Sequence, residues 1–301
     1  MAKLSHLQIL SHGAIAWQQF RQSLHLKSNY SVENQSIDLS NSDLSRLNLR
    51  GLDLSAVNLR RSDLTDTKLV AANLTNADLT NADLTNAQLN EAVLHRSNLL
   101  NVVAHNLDAT GADFSFANFV GAELQCFIAT GADFSFANLM GMELTFANLQ
   151  DSSFHGAKLG RSLLSYANLR NANLAECDAS GSVFFEAELQ ESHLYRTNFT
   201  GAKLIRSHLV HIYGVMAIFD QALLWGADLS WSNLMRSAFV GTDLSDANLR
   251  GANLSYADFR NANLKGTDFR GATLKGADFR DVKNLDCANL DDTNRSQIRW
   301  N

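Results

Sequence analysis

Leucine or phenylalanine recurs at every fifth residue, in one unbroken register, from Leu39 to Phe279. That series holds 49 positions, and 44 are Leu or Phe; the exceptions are Ala104, Ala109, Ala129, Ala179 and Gly214. Two residues before each centre sits a small residue, as in Ala77-Asp78-Leu79 and Ala82-Asp83-Leu84. A period of five suits neither common element. On an α-helix each step of five swings the side chain by about 140°, so the apolar residues circle the helix. On a flat strand an odd period alternates faces. Either arrangement leaves half the centres in water. A chain that turns a corner every five residues instead points every centre at one axis, and this predicts an all-β solenoid.

The number of sides follows from an internal repeat. The decapeptide ATGADFSFAN stands at Ala109–Asn118 and returns unchanged at Ala129–Asn138. An offset of 20 residues makes four pentads per turn, a square coil. The 240 residues between the first and last centres then form 12 coils. At the ordinary strand spacing these make a rod about 58 Å long.

The exceptional centres test which positions face inward. Each is paired with a larger residue two places earlier: Val102/Ala104, Leu107/Ala109, Phe127/Ala129, Cys177/Ala179 and Ile212/Gly214. Among the other 44 pentads only five carry anything larger than Ala, Ser or Thr there, namely Ile37, Leu47, Leu52, Val57 and Met142. Exchange at constant volume is what a close-packed interior tolerates, so both positions share one core. The position between them is Asp or Asn in 29 of 49 pentads. Such side chains bond nearby main-chain groups and stabilise corners. Glycines such as Gly111, Gly121 and Gly131 stand at the last pentad position as turn residues. Proline is absent altogether, which suits coils whose amides pair with the next coil.

Runs such as Ala72-Asn73-Leu74-Thr75-Asn76 and Ala252-Asn253-Leu254-Ser255-Tyr256 resemble the A(D/N)LXX consensus of the pentapeptide-repeat family, which is abundant in cyanobacteria. The resemblance covers about four fifths of the chain. It implies a right-handed quadrilateral β-helix with three of every five side chains facing outward.

A solenoid exposes a strand edge and an open core at each end and needs caps. Leu4, Leu7, Leu10, Ala14, Trp17 and Phe20 are spaced as one helical face. A helix over roughly His6–Leu24 is therefore expected to close the N-terminal end, with Trp17 and Phe20 against Ile37, Leu47 and Leu52. At the other end Phe279 is followed by Leu285 and Leu290, a slip of one residue that suggests a bulge around Asp281–Asn284 and a last partial coil. Beyond it the tail leaves the pattern, with Ile298 and Trp300 as its large apolar residues, and acts as a short cap or as a dimerising end. The expected organisation is an N-terminal α-helical cap over 1–36, the β-helix over 37–280, and a C-terminal partial coil and cap over 281–301.

Composition narrows the function further. A net charge of −6 favours solubility over any charged partner. The sparse cysteines, Cys126 outward and Cys177 inward with Cys287 beyond the repeats, fit a reducing compartment. Polar residues interrupt the N-terminal apolar segment, which argues against a signal peptide, and no stretch is long enough to span a bilayer. The expected location is cytoplasmic. His208 and His211 project outward around a corner without a carboxylate or Cys to complete a ligand set. No phosphate-loop sequence follows the glycines, and a convex rod has no cleft in which to tune an acid or base. No catalytic, metal or cofactor residues are expected, and no small-molecule substrate. Arg250, Arg260, Lys265, Arg270, Lys275 and Arg280 each follow a centre directly and so spread over all four sides, unlike a nucleic-acid footprint.

Two functions remain open. One is a protein-interaction rod of regulatory or scaffolding kind. The other, implied by resemblance to the quinolone-resistance branch of the family, is a DNA mimic that inhibits or protects a type II topoisomerase such as DNA gyrase. Here acidic positions are interleaved with Asn, and the repeats carry no inserted loop. One face departs from the repeat chemistry. Leu163, Val183 and Leu223 precede centres; Phe185, Ile205 and Trp225 follow them; Phe146 and Tyr166 take the last position. These side chains form either a ladder that stabilises neighbouring coils or an apolar patch for a protein partner or a second copy, with Trp225 as anchor and Lys203, Glu186 and Arg206 as polar rim.

Overall fold

The computed structural model describes residues 2–27 and 37–300. They fall into two compact units, Met1–Ala137 and Asn138–Asn301, and each is considered by itself.

One corner design serves both units. The carbonyl of most centres accepts the N–H three residues on, as in Leu47 to Leu44 (3.3 Å) and Ala217 to Gly214 (3.1 Å). The third residue of this turn is left-handed, with φ from +48° at Asn41 to +72° at Gly121, and the sign holds at every pentad through Asp281. Gly, Asn and Asp accept that conformation readily, which explains their frequency at the last pentad position. Arg and aromatic residues stand there as well, because their side chains extend into solvent. The Asp or Asn before the centre braces the opposite side of the corner. Asp43 Oδ1 accepts the Ser45 N–H at 3.0 Å, and Asp228 Oδ1 accepts the Ser230 N–H at 3.0 Å.

In the first unit parallel bridges join residues 20 apart, from Asp38 with Asn58 to Asp113 with Asp133. Two helices precede them, α1 (Ala2–Ser11) and α2 (Ala14–Lys27). The single helix expected over His6–Leu24 is thus broken. Gly13, at φ +91°, leaves the helical path while its N–H bonds to the Leu10 carbonyl. The break also turns Ala14 out of the expected apolar face into solvent. Trp17 is fully buried, and its Nε1 donates to the Asp53 carbonyl at 2.8 Å. Arg21 pairs with the Asp53 carboxylate at 2.8 Å and donates to Ser55 Oγ. Ile37 and Leu52 are buried, but Leu47, expected beneath the helix, is 36% exposed. The reason is directional: the helix is tied to Asp53 and Ser55, away from the side that carries Leu47. The Leu4 side chain and residues 28–36 lie outside the described residues.

In the second unit the same pairing runs from Asn138 with Lys158 onward. Lys283 still pairs with Asn263, but Asn289 pairs with Asp268, so the offset changes from 20 to 21. The extra residue is taken up by a 3₁₀ turn at Leu285–Cys287, entered through left-handed Asn284. The slip therefore lies later than the bulge expected at Asp281–Asn284. The tail also keeps the pattern instead of leaving it: Asn294 and Arg299 pair with Thr273 and Asp278, and the Trp300 ring lies 5.4 Å from that of Phe279.

All five exchanged pairs point inward. Val102, Leu107, Phe127, Cys177 and Ile212 are at most 1% exposed, as are their small centres where side chains exist. A Cβ at Gly214 would stand 2.9 Å from Leu234 Cδ2 and 3.5 Å from Ile212 Cδ1, so Ile212 and Leu234 occupy the space of the missing side chain. Serine and threonine substitute for alanine inside where their hydroxyls reach a main-chain acceptor, although the buried Ser97 and Ser192 hydroxyls find none. Ser62 bonds the Leu59 carbonyl and Thr197 the Leu174 carbonyl, both at 2.7 Å. In the second unit phenylalanine centres 20 apart stack face to face: Phe199 on Phe219 at 5.3 Å, then Phe219 on Phe239 and Phe239 on Phe259 at 5.0 Å.

Candidate functional site

All eight residues singled out as an apolar face lie in the second unit, on one side of five successive coils. Bridges join Glu143, Leu163, Val183, Lys203, Leu223 and Asp243 in that order, which fixes the row before the centres. Beside it run Phe185, Ile205 and Trp225 in the row after the centres, then Phe146 and Tyr166 in the left-handed row. The Phe146 and Tyr166 rings are parallel at 4.9 Å, and Tyr166 meets Phe185 edge-on at 5.4 Å. Despite this stacking Phe146 remains 70% exposed and Trp225 46%. Leu163, Tyr166 and Leu223 are also exposed, whereas Val183, Phe185 and Ile205 are half-buried. Stacking leaves one ring face of the outermost residues open. Trp225 is held by its Nε1, which donates to Asp246 Oδ2 at 3.1 Å.

The expected polar rim is arranged differently. Glu186 and Arg206 pair with each other at 3.1 Å in the left-handed row. Lys203 is no rim residue: it sits within the ladder, between Val183 and Leu223, and is exposed. Bridged residues 20 apart stack directly above one another, so the position before a centre belongs to the face itself. The main chain behind the face is paired on both sides, with Phe184 N–H on the Lys203 carbonyl (2.7 Å) and Lys203 N–H on that of Ser182 (2.8 Å).

Sequence reasoning passed over a second exposed aromatic stack, in the first unit. Phe116 and Phe136 are parallel at 5.0 Å, His95 meets Phe116 edge-on, and Arg96 lies over that ring at 5.6 Å. The signal was present, since the exact decapeptide repeat places both phenylalanines at one position 20 residues apart.

Groups with chemical potential are dispersed. His208 and His211 are exposed, and among the described residues no three His, Cys, Asp or Glu side chains converge as metal ligands. Burial pushes the Cys177 thiol far above its ordinary range, which keeps it protonated. The late arginines fold back on their own pentads. Arg260, Arg270 and Arg280 reach Asp258, Asp268 and Asp278 at 2.7, 2.6 and 2.7 Å. The hydrogen bonds from Arg270 and Arg280 hold the Asp268 and Asp278 carboxyls below the usual range. Charge is therefore cancelled locally instead of accumulating on one side. Among the described residues no helix is long and apolar enough to cross a membrane.

Coils paired at a fixed offset, with one centre and one small residue inside each pentad, define a repeat solenoid. The model of the family described as "Pentapeptide repeats" matches in eight copies that span residues 35–125, 130–201 and 217–281. The chain belongs to the pentapeptide-repeat family. Among solved structures it is similar to HetL, a pentapeptide repeat protein involved in heterocyst differentiation regulation from the cyanobacterium Nostoc. The identity is 28% over 89% of this chain and 95% of HetL, with a TM-score of 0.31. It is also similar to Rfr23 from the cyanobacterium Cyanothece, at 26% identity over 35% of this chain and 60% of that one, TM-score 0.25. QnrB1, a plasmid-mediated fluoroquinolone resistance protein, matches at 15% identity over 73% of this chain and 89% of its own, TM-score 0.30. No curated protein matches the sequence.

Proposed function

We propose that this chain is a non-enzymatic interaction scaffold that acts in the cytoplasm, and that the apolar face of its second unit receives a protein partner. The proposed frame is a right-handed quadrilateral β-helix of about 12 coils over 37–280. Residues 1–36 form its N-terminal cap, and residues 281–301 close it with a partial coil. The observation that carries the reading is the aromatic and aliphatic surface left open where the repeat ordinarily places Asp, Asn, Ser or Thr: Phe146 at 70% and Trp225 at 46% exposure. Stacking explains why Tyr166 lies against Phe146, and the bond to Asp246 fixes the Trp225 indole on the surface of the next coil while leaving it 46% exposed. Interface energy concentrates in such anchored aromatic residues. The test is the double variant Trp225→Ala, Phe185→Ser, compared with the parent by light scattering and by pull-down from the source cell. Loss of a recovered partner with an intact fold supports the reading. An unchanged oligomeric state and unchanged recovery would reduce the face to a structural ladder.

A further inference from the structure

The face also states what kind of partner fits it. We infer that its occupant is a short amphipathic α-helix whose apolar stripe carries one acidic side chain about one turn from one end; this rests on the interaction-face reading above.

Three observations converge on that chemistry. The first is the state of the main chain. The face is made of side chains standing on coils whose N–H and C=O groups already bond the coils above and below, as at Leu164 N–H to the Val183 carbonyl (2.7 Å) and Leu223 N–H to that of Ala202 (2.9 Å). An extended peptide would find no free edge to add to, and would carry its own unpaired amides onto an apolar surface. A helix satisfies its main chain internally.

The second is size. The apolar rows span five coils, about 19 Å along the stacking axis, and the outward residues of one side cover about 10 Å across. A helix is about 10 Å wide and rises 1.5 Å per residue, so about 13 residues match this length. The strip offers on the order of 200 Å², far below the roughly 800 Å² per partner of a standard stable interface. A single short helix fills a strip of this length and width and is correspondingly weakly held there, and a second copy is the alternative that sedimentation tests.

The third is charge. Lys203 stands between Val183 and Leu223, in the fourth of the strip's five coils. Glu186 on the same face is engaged by Arg206 at 3.1 Å, and no ion pair involves Lys203 among the described residues. An apolar partner laid across the strip would desolvate this ammonium without compensation. A carboxylate at the matching place in the partner removes that cost. Glu143 stands in the first coil and Asp243 just beyond the fifth, so the partner's acid is directed to the Lys203 coil and away from both carboxylates.

The experiment uses the full chain and three 14-residue helical peptides that share one apolar stripe and differ only at the stripe residue one turn from one end, Glu, Gln or Lys. Binding is measured by fluorescence anisotropy against the parent, Lys203→Glu, Lys203→Gln and the Trp225→Ala, Phe185→Ser variant, each checked for fold by circular dichroism. On the parent the Glu peptide should bind tightest and the Lys peptide weakest, each step about two- to fivefold, as expected for a partly exposed ion pair. Lys203→Glu should invert the order, Lys203→Gln should flatten it, and the double variant should abolish binding of all three. Three results would overturn the inference: no peptide binds the parent; all three bind equally; or sedimentation shows a dimer that the double variant returns to monomer. If the peptides fail while the double variant still loses its partner in the pull-down, only the helix assignment falls. If the double variant changes nothing there either, the interaction face falls with it.

Discussion

Truncation of Phe127 to Ala, alone and together with Ala129→Leu, tests the packing rule on which the fold rests. Phe127 is 1% exposed and its ring meets Phe134 edge-on at 6.2 Å; Ala129, the centre of the same pentad, is fully buried. Removing the ring forfeits about 1.5–3 kcal/mol of burial and about 0.5–1.5 kcal/mol of aromatic pairing. With incomplete collapse of the cavity, the expected destabilisation is about 3–5 kcal/mol. Ala129→Leu alone inserts a branched side chain beside an intact phenylalanine and should cost about 1–3 kcal/mol by overpacking. Together the two changes recreate the ordinary pentad, small residue first and leucine at the centre. The double variant should therefore recover most of the loss, with a favourable coupling of at least about 2 kcal/mol. The assay is urea unfolding followed by circular dichroism, with calorimetry to check that the transition is cooperative. Additive losses, leaving the double variant less stable than either single one, would refute the claim that the two positions share one volume.

Three further outcomes follow from the contacts described. Deleting residues 1–30 removes the fully buried Trp17 and the Arg21–Asp53 pair, and should expose the first coil and promote aggregation visible by light scattering; unchanged melting and a monomeric state would show that the helices are not a cap. Asp268 and Asp278 have folded-state pKa values held below 3.8 by their arginines, so their contribution is fully present above the unfolded value and is lost as pH falls through the depressed one. Thermal midpoints should be flat in this respect above about pH 5 and drop below about pH 4, and Arg270→Gln with Arg280→Gln should shrink that drop. Because the late arginines are spent on neighbouring carboxylates and no side carries an uninterrupted acidic row, DNA gyrase supercoiling should be unaffected by a stoichiometric amount of this protein; inhibition or protection would favour the DNA-mimic role.

Spacing along the chain alone dictates what lies inside. A side chain at every fifth place must meet a common axis or be wasted in water, and the exchange of Ile212 against Gly214 marks a shared volume. Coil length was legible because an exact decapeptide repeats, and the face with Leu163, Phe185 and Trp225 was legible because residues 20 apart must lie above one another. Tertiary structure decided what happens where that one-dimensional constraint ends. Apolar spacing across Leu10, Ala14 and Trp17 is the same for one helix or two, and only the left-handed Gly13 separates them. A slip of one residue near Leu285 can be absorbed at several turns, and the paired Lys283 places it in the 3₁₀ turn beyond. Outward side chains answer to rotamers and neighbours instead of to a period. Spacing therefore placed Arg206 and Lys203 on one face, but only their surroundings decided that Arg206 is spent on Glu186 while Lys203 stands unpaired within the apolar ladder.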